Sequence, residues 1–160
     1  FKRRIFMEFI VTSVEETFNI GKQIGNLVNP GDIICLTGDL GTGKTHISKG
    51  IALGLGIKEH ITSPTFNIVN EYSSGRLGLN HFDVYRINDP DEIFAIGFDE
   101  YIFSDRVSLI EWANYIEDLI PSEYPVSYTH LRAQKGENFR KIIITSFGDR
   151  YNYIKEIKKC

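Results

Sequence analysis

Cysteine, long apolar runs and surplus positive charge are all scarce in this 160-residue chain. Its two cysteines, Cys35 inside Ile33-Ile34-Cys35-Leu36 and Cys160, make no disulfide framework, and such sparse usage fits a reducing, cytoplasmic setting. Cys35 reads as core. No stretch stays apolar for the roughly 20 residues that a membrane-spanning helix needs, so the chain reads as soluble. With 18 basic against 21 acidic residues it lacks the positive field that drives nucleic-acid binding, and any RNA role would be indirect. No Cys/His cluster carries zinc spacing. No repeat, low-complexity block or linker interrupts the sequence, which argues for one domain. Residues 1–6 precede the only methionine, Met7, and are too short and too soon followed by polar sequence to act as a secretory signal. They read as an extension, and residues 7–160 as the domain.

What is present alternates between strand and helix signals. Phe9-Ile10-Val11 is strand-like. Ser13-Val14-Glu15-Glu16 has capping-box spacing, and Phe18, Ile20, Ile24, Leu27 and Val28 follow at helical intervals, predicting a helix over 13–28. The run 32–37 is short, apolar and β-branched, as in a strand buried on both faces. Ile47, Ile51, Leu53 and Leu55 predict a helix closed near Gly54 or Gly56. Strands over 66–72 and 77–84, joined by Ser73-Ser74-Gly75-Arg76, predict an antiparallel hairpin. Asp89-Pro90-Asp91-Glu92 starts a short helix. Val107–Ile110 reads as a central strand followed by a helix over 113–119, 139–147 as a late strand, and 150–159 as an amphipathic terminal helix. The stretch 122–136 carries no clear pattern.

The chemistry centres on Gly38-Asp39-Leu40-Gly41-Thr42-Gly43-Lys44-Thr45, a glycine, four residues, then Gly-Lys-Thr, set between a strand and a helix. Glycines at these positions let backbone N–H groups close around phosphate oxygens, and the helix N-terminus favours negative charge. Lys44 would reach the β and γ phosphates, the Thr45 hydroxyl would bind Mg²⁺, and His46 continues the first turn. The fold expected is an α/β, P-loop NTPase-like three-layer sandwich with a mixed sheet and a hairpin insertion. No Asn-Lys-x-Asp guanine signature supports GTP.

Such proteins also need an acid at a strand end, and the usual apolar run ending in Asp is missing. Two candidates stand in its place: Glu111, after Val107–Ile110, and Asp83, within Asn80-His81-Phe82-Asp83-Val84-Tyr85-Arg86. In an extended strand His81, Asp83 and Tyr85 share one side. That side is either directed at a metal or simply solvated, with His81 and Arg86 partnering Asp83. Thr62-Ser63-Pro64-Thr65-Phe66 reads, by itself, as a turn entering a strand, and Trp112 as core.

Taken in order, the glycine-rich loop, Ser63-Pro64-Thr65-Phe66, His81–Arg86 and Ile110-Glu111-Trp112 resemble the TsaE family, formerly YjeE, bacterial ATPases of tRNA threonylcarbamoyladenosine biosynthesis. The likeness spans residues 8 to 120. It implies ATP and ADP as ligands with Mg²⁺, slow or partner-dependent hydrolysis, and support of the TsaB and TsaD transferase, which modifies N6 of adenosine 37 in tRNA. It also implies that Ser63-Pro64-Thr65 forms a switch-like loop near the γ phosphate, with Thr65 among the catalytic residues. Asp83 and Glu111 would organise Mg²⁺ and the attacking water, and Trp112 would brace them. Two departures stand out: His46 replaces a small polar residue, and Pro125 to Gln134 lacks the family strand's apolar and acidic alternation.

The leading mechanism is a γ-phosphate switch in which ATP orders residues 63–66 and hydrolysis releases them to reset a bound partner. A P-loop kinase of nucleosides or metabolites is the alternative. Against it, no arginine-rich lid follows the core, and Arg76, Arg86 and Arg106 are scattered. A nucleotide-dependent binding module without meaningful hydrolysis is the third reading.

Overall fold

The computed structural model describes residues 4–38, 44–62, 64, 68–85, 87, 89–111, 128–135, 139–147 and 149–159. Strand β1 (Arg4–Val11) alternates as a half-buried strand should: Ile5, Phe9 and Val11 point into the core while Phe6 and Ile10 face out. It pairs along its whole length with β7 (Arg140–Phe147), from Arg4 opposite Phe147 to Val11 opposite Arg140. Residues 4–6, expected to lie in an extension outside the domain, are therefore part of the sheet, because the eight-residue β7 offers partners for all of them.

Helix α1 (Val14–Leu27) starts where the capping signal placed it, with Ser13 Oγ accepting the Glu16 backbone N–H at 3.1 Å. Strand β2 (Ile33–Gly38) follows, and α2 (Lys44–Gly54) begins at the lysine of the glycine-rich loop. The two helices meet at backbone distance. A Cβ on Gly25 would lie 2.1 Å from the Ile51 carbonyl oxygen, and one on Gly50 would lie 2.3 Å from that of Phe18. Gly56, at φ +80, closes the chain after α2 as the glycine signal predicted.

Strands β3 (Val69–Tyr72) and β4 (Leu79–Asp83) form the expected antiparallel hairpin. Its turn packs on the ends of α1 and α2: Arg76 donates to the Gly25 and Val28 carbonyls at 2.8 and 2.7 Å, supplying the cation that the last turn of α1 lacks. Arg106 ties the hairpin to β5 (Val107–Glu111), donating to Asn80 Oδ1 at 2.7 Å and to the Tyr72 carbonyl at 2.9 Å. Between them, Asp89 caps α3 (Pro90–Ala95), and α4 (Phe98–Ile102) follows Gly97.

The stretch without a clear pattern contains β6 (Tyr128–Lys135), parallel to β2 and antiparallel to β7. The sheet order is β1-β7-β6-β2-β5-β4-β3, with parallel pairing through β6, β2, β5 and β4 and antiparallel pairing on both flanks. This is an α/β fold with a mixed sheet. Alternation along β2 divides the core: Ile34 and Leu36 pack toward α1 and α2, whereas Ile33 and Cys35 join Phe82, Ile93, Phe98 and Ile102 on the other face. Cys35 is core, as its apolar neighbours implied.

The terminal segment departs from expectation. The amphipathic helix expected over 150–159 is a 3₁₀ helix over Asp149–Glu156, with a kink at Tyr151. Its buried residues Tyr151 and Ile154, and Ile157 just beyond its end, recur every third position, which matches the three-residue turn of a 3₁₀ helix. The kink lets Tyr151 accept the Ile33 N–H at 2.9 Å, while Arg150 and Tyr153 reach Asp32 at 2.9 and 2.6 Å. The helix expected over 113–119 lies outside the described residues. No described helix is long and apolar enough to cross a membrane.

Candidate functional site

The parallel strands end together. Leu36 of β2, Glu111 of β5 and Asp83 of β4 are register partners, so both candidate acids stand level near the carboxyl ends of adjacent strands. Open α/β sheets bind ligands at that end, and here α2 begins beside it. Thr45 is exposed and His46 half-buried in the first turn of α2.

Glu111 is buried, 4% exposed, and its carboxylate is held from two elements. Ser48 Oγ, from α2, donates to Oε1 at 3.3 Å, and His81 Nε2, from β4, lies 3.1 Å from Oε2. An ionised carboxylate only accepts hydrogen bonds, so Nε2 is the nitrogen assigned the proton. Buried Nδ1 has no hydrogen-bond partner among the described residues. Of the two readings of the strand side carrying His81, Asp83 and Tyr85, the solvated one fails at His81, which is 1% exposed and bonded to Glu111. Asp83 is partly exposed, and its Oδ1 accepts the Tyr85 N–H at 3.0 Å.

Sequence reasoning missed Ser48. The signal was a polar residue beside Ile47 and one turn before Ile51 on the buried side of α2, three residues after Thr45 and four after Lys44, spacings that share a helix face. His81 was noticed, but its partner was not, since Glu111 is 30 residues away in sequence.

Several expected site residues, Asp39, Leu40, Gly41, Thr42, Gly43 and Thr65, lie outside the described residues, as do Ser63, Phe66, Arg86 and Trp112. The described flanks are ordered by specific contacts. Gly38 ends β2, Lys44 opens α2, and Pro64 is buried. Thr62, just before the expected switch loop, is fixed to the hairpin: its carbonyl accepts Asn70 Nδ2 at 3.1 Å and the Tyr72 hydroxyl at 3.4 Å.

No group of three or more His, Cys, Asp or Glu that could hold a metal by itself occurs among the described residues. The residues expected to hold Mg²⁺, Thr45, Asp83 and Glu111, would offer it oxygen donors only, the type this cation prefers.

Residues 11–142 match the family model described as "Threonylcarbamoyl adenosine biosynthesis protein TsaE". The chain is 44% identical over 142 residues to the tRNA threonylcarbamoyladenosine biosynthesis protein TsaE of Bacillus subtilis, covering 89% of this chain and 87% of that one. It is 41% identical over 121 residues to the protein of the same description from Treponema pallidum, covering 76% and 88%. A crystal structure described as Bacillus subtilis YdiB superposes with a TM-score of 0.78 at 36% identity, covering 96% of this chain and 94% of that one. Matched over most of its length in sequence and in fold, the chain belongs to the TsaE family of threonylcarbamoyl adenosine biosynthesis proteins.

Proposed function

We propose that this chain is a Mg²⁺-dependent ATPase with a P-loop NTPase-like fold, supporting the complex that makes N6-threonylcarbamoyladenosine at position 37 of tRNA. The observation that carries the reading is the pair of carboxylates, Asp83 and Glu111, level on adjacent strand ends beside the helix that opens with Lys44 and Thr45. Residues Gly38 to His46 enclose the phosphates, and Lys44 neutralises charge on the β and γ groups. Thr45, Asp83 and Glu111 would hold Mg²⁺, which would screen phosphate charge when bound. Glu111, buried and already oriented, positions the attacking water and accepts its proton.

Thr62, anchored to the hairpin, gives Ser63-Pro64-Thr65 a fixed root, so ordering by a γ phosphate and release on hydrolysis remain local to that loop. The partners it acts on are TsaB and TsaD, and tRNA is reached only through them. The protein is cytoplasmic. Arg76 and Arg106 are committed to backbone carbonyls of α1 and the hairpin, which favours this reading over the kinase alternative.

Phosphate release from ATP, measured for the chain alone and with the TsaB and TsaD pair, tests the proposal. Lys44→Ala should abolish nucleotide binding, and Glu111→Ala should bind nucleotide without turning it over. Equal phosphate release by wild type and both variants would sink the assignment; a phosphorylated nucleoside or metabolite would select the kinase.

A further inference from the structure

We infer that His81 and Ser48 are positioning residues for Glu111, holding its carboxylate in the plane needed for ATP turnover and tying it to the nucleotide-binding helix. The inference rests on the ATPase reading above.

The geometry is specific. A glutamate's terminal torsion is broad when unrestrained, so burial alone would not set the direction of its oxygens. Here each oxygen has its own donor, Ser48 on Oε1 at 3.3 Å and His81 on Oε2 at 3.1 Å. The donors come from different elements, α2 and β4, so rotation of the carboxylate in either sense breaks a bond. All three residues are buried, which keeps competing water away from both bonds.

His81 is poorly explained as packing. It sits at 1% exposure with Nδ1 lacking a partner among the described residues, although an apolar side chain would fill such a position without an orphaned nitrogen. What the imidazole adds is a directional bond to Glu111. Ser48 adds a coupling. It lies one helical turn beyond Lys44 and Thr45, so any shift of α2 on nucleotide binding is transmitted to the carboxylate through a single hydroxyl.

The test uses the full chain with Mg²⁺-ATP. His81→Leu should lower kcat by about ten- to a hundredfold and Ser48→Ala by about tenfold, the usual range for residues that orient a reacting group, with KM and nucleotide Kd within about twofold. Because the Gln side-chain nitrogen can occupy the place of Nε2, His81→Gln should recover most of the loss. In a Glu111→Gln background neither substitution should lower the residual rate further, since their effect runs through that carboxylate. A second readout needs no turnover: in nucleotide-free protein the His81 Nε2 proton should give a protected downfield NMR signal that moves in Glu111→Gln.

A Lys44-dependent rate indifferent to His81 and Ser48, equal further losses in the Glu111→Gln background, or a His81 proton unmoved by Glu111→Gln would overturn the positioning role alone. A wild-type rate no higher than that of Lys44→Ala would overturn the ATPase reading, and the positioning role with it. Thermal unfolding of each variant separates these outcomes from misfolding, and Ser48→Ala, which removes one atom, carries the test if His81→Leu does not fold.

Discussion

Two carboxylates are buried at opposite ends of the parallel strands, and the contrast between them separates scaffold from site. Asp32 stands just ahead of β2, fully buried; Glu111 closes β5 at 4% exposure. Asp32 accepts three hydrogen bonds, from Arg150 Nε at 2.9 Å, Tyr153 Oη at 2.6 Å and the Asn29 N–H at 2.9 Å, while Arg150 Nη2, which donates to the Pro30 carbonyl, completes the ion pair at 2.9 Å. Its donors come from the preceding turn and the terminal 3₁₀ helix, so it fastens the end of the chain beneath the sheet. Burial, and then the Asp32 charge, hold the Tyr153 hydroxyl far above the usual tyrosine range, which keeps it a donor at every ordinary pH. Glu111 is held instead by side chains from α2 and β4, at the strand ends where ligands bind. A buried acid braced against the chain's own terminus belongs to stability. On the proposed reading, one braced against the helix that follows the glycine-rich loop belongs to function.

The sharpest way to break this comparison is to neutralise both acids with the same chemistry. Asp32→Asn puts an amide among three donors and leaves Arg150 without its counter-charge. It should cost about 3 kcal/mol, toward the low end for a broken buried pair because Arg150 is 34% exposed. Urea midpoints should read that loss, while nucleotide Kd stays near wild type.

Gly25→Ala tests whether the two ends can be disturbed together. The new methyl would sit 2.1 Å from the Ile51 carbonyl oxygen and push α2 off α1, at a cost of about 2 kcal/mol. Because α2 carries Thr45 and Ser48, kcat should fall along with the urea midpoint, unlike in Asp32→Asn.

Glu111→Gln should leave stability within about 1 kcal/mol of wild type, or raise it, since removing a buried charge from a functional site relieves desolvation. Turnover should be lost. A large destabilisation by Glu111→Gln beside a mild one by Asp32→Asn would reverse the assignment of the two ends.

Much of this contrast was legible before the structure, but unevenly. Short-range signals held: the Ser13 cap, Asp89-Pro90 at the start of α3, the hairpin turn, and the strand and helix flanking the glycine-rich loop each depend on residues within one turn of each other. Both acids of the site were singled out, Asp83 and Glu111, yet neither the Glu111–His81 bond nor the Ser48 contact was foreseen, because each spans 30 or more residues. Strand β6 escaped since Tyr-Thr-His-Leu-Arg-Ala-Gln-Lys lacks apolar alternation. Ladder bonds to β2 on one edge and β7 on the other set its register. The terminal helix was expected but its 3₁₀ form was not legible, because the i, i+3 spacing of Tyr151, Ile154 and Ile157 suits both helix types.

The smallest expected effect bears on the scaffold end alone. Burial raises the Asp32 carboxyl above its ordinary 3.8, outweighing the Asn29 N–H, Tyr153 and Arg150, which all favour the charged form. A carboxyl whose folded value is raised binds its proton more readily folded than unfolded. Its contribution to stability is therefore full below 3.8 and declines as pH rises through the higher folded value. Asp32→Asn carries no such group, so the stability gap between wild type and this variant should narrow as pH climbs from about 4 toward neutrality. Urea unfolding of both proteins across that range isolates the slope from the other carboxylates, which the two chains share. A gap that widens instead would mean that the Arg150 pair outweighs burial, and that the scaffold carboxylate stabilises the fold by its charge rather than in spite of it.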